Sequence, residues 1–201
     1  MHCTRKLNDS ISWVGGNDRR LALFENLFPI PRGVSYNSYL ITDEKTALID
    51  TVDASISHQF LENIYSVLDG RSLDYLVINH MEPDHCAMIE DLVLRYPDLK
   101  IVGNAKTLTF AKQFYDMDME GKTITVKEND SIFLGSHTLR FYFAPMVHWP
   151  EVMVTYEESE KILFSADAFG SFGALNGHLF SDEVDFDRDW LSDARRYYSN
   201  I

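Results

Sequence analysis

Apolar and polar positions fall into two regimes along this chain. Residues 11–14, 21–24, 36–42 and 45–50 are short apolar or alternating runs separated by turn residues, and each predicts a β-strand. Residues 58–68 then carry Phe60, Leu61, Ile64 and Leu68 at helical spacing, with Gly70 as the stop. Residues 73–79 predict a buried strand, 86–96 a helix halted by Pro97, 100–103 a strand and 107–117 a helix. This strand–helix alternation predicts α/β layering. Strand patterns return at residues 123–127, 131–134, 138–144, 153–156 and 162–165, and 186–198 predict a closing helix. Two mixed sheets with helices outside, an αββα sandwich of α/β (α+β) class, accommodate this order. No repeat, low-complexity tract or linker divides the chain, so one domain over residues 1–201 is expected.

Composition adds bounds. The 201 residues, 45% of them hydrophobic and 13% aromatic, suffice for one folded domain with a substantial core. No apolar run approaches the roughly 20 residues that span a bilayer, and the N-terminus lacks a secretory signal, so a cytoplasmic protein is expected. The formal charge of -13 argues against a nucleic-acid partner, because phosphate binding needs clustered Lys and Arg. Cys3 and Cys86 form no C-x-x-C pair, which fits a reduced chain; Cys86, beside His85, is either a metal ligand or reactive thiol or simply core filling.

The candidate chemistry sits where the apolar run Tyr75-Leu76-Val77-Ile78 ends. His80, Glu82, Asp84 and His85 follow within six residues. In an extended segment, alternation sends His80, Glu82 and Asp84 roughly one way and His85 another, so one loop can serve two metals. Two more strand ends deliver ligand-type residues, His148 after residues 140–144 and Asp167 after residues 162–165. Three strand ends of this kind predict a two-metal site, because ligands in α/β proteins gather at strand termini. Zinc favours His and Cys, whereas carboxylates with imidazoles suit iron and manganese as well. Asp167 is the natural bridge, since each of its oxygens can serve one metal.

The segments NHMEPDHCAM, PMVHWPEVMVTY and LFSADAFGSFGALNGHLF resemble the metal-binding stretches of flavodiiron proteins (A-type flavoproteins), which share the metallo-β-lactamase fold. The segment LFPIPRGVSYNSYLITDEKTALIDTVD resembles the start of that domain. Zinc hydrolases of this fold carry H-x-H-x-D-H; Glu82 stands where they have the second His, which marks the diiron branch. The resemblance implies that His80, Glu82, His148 and bridging Asp167 hold one iron, and that Asp84, His85, Asp167 and a further His hold the other. Water replaces the residue matching His85 in some family members. His178 lies too early to be the further His. Trp149 and Tyr197 match positions near the family's site, as limits on access or hydrogen-bonding groups, or as core.

The resemblance further implies reduction of dioxygen to water and/or nitric oxide to nitrous oxide. Electrons would arrive through FMN from a flavodoxin-like domain and a donor such as rubredoxin, within a head-to-tail homo-oligomer. The last iron ligand, the end of the lactamase-like domain and the FMN domain would follow Ile201. The chain therefore reads as the N-terminal piece of such a protein: a fragment, a truncated product or part of a split system. Two other functions compete: a zinc-dependent hydrolase of the same fold, which Glu82 disfavours, and a non-catalytic metal-binding module, which the missing His favours.

Overall fold

Alternation along the central strands sorts the core into two layers. The computed structural model describes residues 2–199; the chain end at Asn200 and Ile201 lies outside the described residues. A seven-stranded sheet runs in simple sequence order: β1 (Arg5–Lys6), β2 (Ile11–Trp13), β3 (Tyr39–Thr42), β4 (Thr46–Ile49), β5 (Tyr75–Val77), β6 (Lys100–Gly103) and β7 (Thr123–Thr125). The first four pair antiparallel and the last four parallel, sharing β4. A four-stranded antiparallel meander forms the second sheet: β8 (Ser131–Phe133), β9 (Thr138–Phe143), β10 (Met153–Glu157) and β11 (Ile162–Phe164).

Leu40, Leu48, Leu76 and Ile101 face the helices, where they meet Phe60, Ile64, Leu68, Leu92 and Leu108. Their neighbours Ile41, Ile49, Val77 and Val102 face the second sheet and meet Leu139, Phe141, Met153 and Phe164. Strands apolar on both faces belong at the centre of a sandwich, and each fully buried aliphatic side chain contributes about 1.5–3 kcal/mol.

Several boundaries move from the sequence expectation. The helix α1 (Ser57–Leu68) ends with Asp69 at φ 47°, so Asp69 itself takes the left-handed cap and Gly70 follows it at φ 84°. The helix expected at 86–96 narrows to α3 (Ile89–Arg95), and a separate turn, α2 (Pro83–Cys86), precedes it. The helix α4 (Ala105–Phe114) starts two residues early because Asn104 caps it, accepting from the Lys106 and Thr107 amides at 2.9 and 3.1 Å. Residues 186–198 break at Trp190 into α5 (Phe186–Asp189) and α6 (Leu191–Tyr198). The runs at 21–24 and 36–42 shorten, since Leu23–Phe24 and Val34–Tyr36 belong to separate two-stranded ribbons.

Candidate metal centre

All three sequence-marked segments converge at one end of the sandwich. Beyond β5, the Asn79 amide donates to Asp50 Oδ1 at 2.7 Å, and the Asn79 carbonyl and side-chain oxygen accept from Met153 N and Thr155 Oγ1 at 3.0 and 2.7 Å. These bonds fix the backbone from which His80 projects. The chain then turns helical earlier than the extended reading supposed. Pro83 occupies the first turn of α2, where its missing N–H costs nothing, and Glu82 stands at the N-cap. Asp84 and His85 therefore diverge from His80 and Glu82 by helical geometry rather than by strand alternation. The His85 carbonyl accepts from the Thr51 amide and hydroxyl at 2.7 and 3.0 Å, which pins this turn to the end of β4.

Two ligand-type groups result. His80, Glu82, His148 and Asp167 form one, and Asp84, His85 and Asp167 the other; within each, one ligand atom per residue lies within 4.8 Å of the rest. In the first group Glu82 Oε2 is 3.1 Å from His80 Nε2 and 3.0 Å from His148 Nε2, and Asp167 Oδ2 is 3.2 and 3.4 Å from the same nitrogens. In the second, Asp167 Oδ1 is 3.2 Å from His85 Nε2 and accepts the Tyr197 hydroxyl. Asp167 thus turns one oxygen to each group. The backbone before these loops adopts left-handed conformations at Asp50 (φ 54°), Met146 (φ 67°) and Ala166 (φ 49°). Such conformations are costly and persist where the surrounding structure dictates them.

The surroundings of the two groups differ. The Trp149 ring meets His80 edge-on with centroids 5.2 Å apart, and Phe110 backs Trp149 at 6.5 Å. Against the second group lies a cavity of about 360 Å³, lined among others by Asp84, His85, Asp167, Tyr36, Phe169 and Tyr197. Tyr197 reaches it from α6 because residue 170 is glycine: a Cβ there would fall 2.7 Å from the tyrosine ring.

The protonation energetics ask for positive charge here. Burial works against a charged His80, but its bonds to Glu151 and Glu82 outweigh burial and raise its pKa to about 9. Burial opposes charge on His85 too, and Asp84 and Asp167 outweigh it, so that imidazole also rises well above its ordinary value. His148 is raised by the neighbouring Asp167 carboxylate. Burial pushes Asp167 upward, yet the surrounding imidazoles hold it far below the carboxylate range. Asp84 moves the other way, up to about 6, because burial exceeds what His85 returns. Burial and the Asp167 charge drive Tyr197 upward, so it stays a neutral donor.

These residues fit a pair of cations. Asp84 Oδ1 and Asp167 Oδ2 are buried acceptors with no hydrogen-bond donor, and His85 Nδ1 is likewise unsatisfied. Buried polar atoms of this kind are normally paired. Carboxylate oxygens and imidazole nitrogens are also the donor set that iron and manganese accept.

Other sequence candidates lie elsewhere. Cys86 donates its thiol to the Met81 carbonyl at 3.2 Å, and burial pushes the thiol up to about 12, so it packs as core. His178 is exposed and belongs to neither group. Sequence reasoning missed Glu151 and Asp50, which stand behind His80 and His85. Glu151 gave one signal, a carboxylate in the same short loop as His148. Asp50 gave none beyond lying at a strand end.

Comparison with known proteins follows the same lines. The chain is 39% identical over 201 residues to the anaerobic nitric oxide reductase flavorubredoxin of Aliivibrio salmonicida, with 98% of this chain and 40% of that protein aligned. It superposes on the flavodiiron protein of Giardia intestinalis with a TM-score of 0.92 at 29% identity, covering 99% of this chain and 48% of that one. It superposes on rubredoxin oxygen:oxidoreductase of Desulfovibrio gigas with a TM-score of 0.88 at 34% identity, covering 99% and 49%. The chain therefore spans about two fifths of the curated relatives' length. The fold is the one these flavodiiron structures share, as the sequence resemblance led us to expect. With the model of the ODP family beta lactamase matching residues 34–195, the chain belongs to that family.

Proposed function

We propose that residues 1–201 form one diiron domain of an oxidoreductase that reduces nitric oxide to nitrous oxide and/or dioxygen to water. His80, Glu82, His148 and Asp167 would hold one iron, and Asp84, His85 and Asp167 the other, with Asp167 as the bridge. The observation that carries this reading is Asp167 itself, which turns Oδ2 to one group and Oδ1 to the other. Similarity to relatives named nitric oxide reductase flavorubredoxin and flavodiiron protein supports iron and these substrates. Glu82, in place of a second histidine, supports iron over zinc.

Held by these residues, a diiron pair would supply the redox chemistry, two electrons for a diatomic substrate. The chain's own residues prepare the place. The loops that carry His80 and His85 are pinned by bonds at Asn79 and Thr51, and Glu151 backs the His80 ring. Trp149 covers the His80 ring and keeps water from that side. Tyr197 donates its hydroxyl to Asp167 Oδ1, which orients the bridging carboxylate and leaves a phenolic proton beside the cavity. Electrons would come through FMN, from a flavodoxin-like domain or a partner subunit, with a rubredoxin-like protein as donor. No helix among the described residues is long and apolar enough to cross a membrane; a cytoplasmic, homo-oligomeric enzyme is part of this proposal.

Iron analysis after anaerobic purification tests the reading. Two irons per chain are expected when both groups fill, and turnover of nitric oxide or dioxygen when reduced flavodoxin-like and rubredoxin-like donors are supplied. Stoichiometric zinc with no affinity for iron would sink it. Iron-loaded protein that stays inert with every donor would leave a metal-binding module without catalysis.

A further inference from the structure

The loop that carries His148 ends at Glu151, which belongs to neither ligand group and yet has no exposed surface. Its Oε1 lies 2.8 Å from His80 Nδ1 and accepts the Met81 amide at 2.9 Å. Its backbone carbonyl accepts Asn104 Nδ2 at 2.5 Å, and its Oε2 is buried without a donor. One residue therefore ties together three strand ends: β5 through His80 and Met81, the β9–β10 loop through its own backbone, and β6 through Asn104.

A buried carboxylate is tolerated only where donors repay its lost hydration. Glu151 has two, and one of them is the ring of His80. Against a carboxylate, His80 Nδ1 must carry the proton, because two acceptors cannot share a hydrogen bond. The other nitrogen, Nε2, lies 3.1 Å from Glu82 Oε2 and 3.2 Å from Asp167 Oδ2 and is the atom the ring turns toward the ligand group. His85 has no equivalent: the nearest carboxylate to its Nδ1 is Asp50 Oδ2 at 3.6 Å, beyond hydrogen-bond length.

We propose that Glu151 is the positioning residue of the first ligand group, fixing the tautomer and orientation of the His80 ring and locking the His80 loop to the His148 loop. Its consequence for metal binding rests on the diiron reading above; the ring geometry does not. Carboxylates behind metal-bound histidines act this way in general, and their loss costs about 10–100-fold in metal affinity.

The test uses the 201-residue chain with Glu151→Ala and Glu151→Gln. Two readouts are followed, anaerobic titration with Co(II) and the Hδ1 resonance of His80 in the metal-free protein. Wild type should show a solvent-protected Hδ1 signal. In E151A that signal disappears and Co(II) affinity at the first group falls about 10–100-fold. E151Q keeps a carbonyl acceptor of the same size, so the signal persists and the affinity loss is smaller than in E151A. Denaturation midpoints are measured alongside. An E151A protein that is merely less stable, with Hδ1 protection and Co(II) affinity of wild type, would overturn the proposal. Wild type that takes up no Co(II) would overturn the diiron reading, while the Hδ1 arm still decides whether Glu151 holds the ring.

Discussion

Two buried imidazole–carboxylate pairs flank the strand β10, and only one belongs to the candidate metal centre. At one end His80 Nδ1 lies 2.8 Å from Glu151 Oε1; at the other His137 Nδ1 lies 2.9 Å from Glu157 Oε1. Both rings are buried and both carboxylates are fully enclosed. The difference is what the second nitrogen faces. His137 Nε2 meets the Ser10 hydroxyl at 2.8 Å, and the Ser159 and Glu160 amides satisfy Glu157 further. His80 Nε2 meets Glu82, which His148 also faces, and Asp167, whose Oδ2 has no hydrogen-bond donor. The far pair is a closed hydrogen-bond chain that joins β10 to the β1–β2 turn. In the near pair, His80 belongs to the first ligand-type group and Glu151 backs it from outside that group. A buried His–carboxylate pair is therefore not itself a metal signature; the unmet acceptors beyond it are.

The comparison breaks hardest at Asp167. Replacing Asp167 by Ala removes an oxygen from each group, and metal per chain should fall close to zero by elemental analysis. A variant that keeps both metals would end the bridging assignment. Next, His80→Ala should lower metal affinity at the first group by more than about 100-fold, since a direct ligand outweighs its supporting shell. His137→Ala should leave metal content intact and cost about 1–3 kcal/mol in chemical denaturation, the usual consequence of stripping a donor from a buried acceptor. Equal metal loss in the two variants would erase the distinction between the two ends.

Smaller effects sharpen it. Tyr197→Phe deletes one donor to Asp167 and keeps the ring that packs on Phe172. About 1.5 kcal/mol of stability should be lost, the scale of a hydrogen bond to a charged group, with both metals retained. The pH dependence of the far end is the mildest. Burial pushes Glu157 upward, but the Glu160 and Ser159 amides and His137 outweigh it and lower its pKa in the folded chain. A carboxylate depressed by folding contributes stability that is complete above its unfolded pKa of about 4.3 and is lost as pH falls through the folded value. Glu157→Gln should therefore flatten the acid side of a stability–pH profile, leaving the neutral side parallel to wild type.

Much of this centre was legible in the linear chain. His80, Glu82, Asp84 and His85 follow a run whose apolar side chains fit both faces of a central strand, and His148 and Asp167 each follow another. The fold gathers His80, Glu82, His148 and Asp167 in one group and Asp84, His85 and Asp167 in a second. The helix breaks were less legible. Residues 86–96 and 186–198 carry helical spacing throughout, yet backbone bonds at Met88 and Trp190 end one segment and begin another. Periodicity reports which face is apolar; it does not report where the backbone leaves the helical conformation between two short helices.

What the sequence determined by itself is the inventory: strands apolar on two faces and three strand ends bearing ligand-type residues. Those are local properties, set by alternation and by residue type, and they survive without knowing any contact. Tertiary structure decided what no spacing encodes. It brought Tyr197 from 30 residues away onto Asp167, placed Glu151 behind His80 across 71 residues, and gave each oxygen of Asp167 its own group. The reason is physical: a buried polar atom takes whichever partner the packing of the two sheets delivers, and that packing is a property of the whole core.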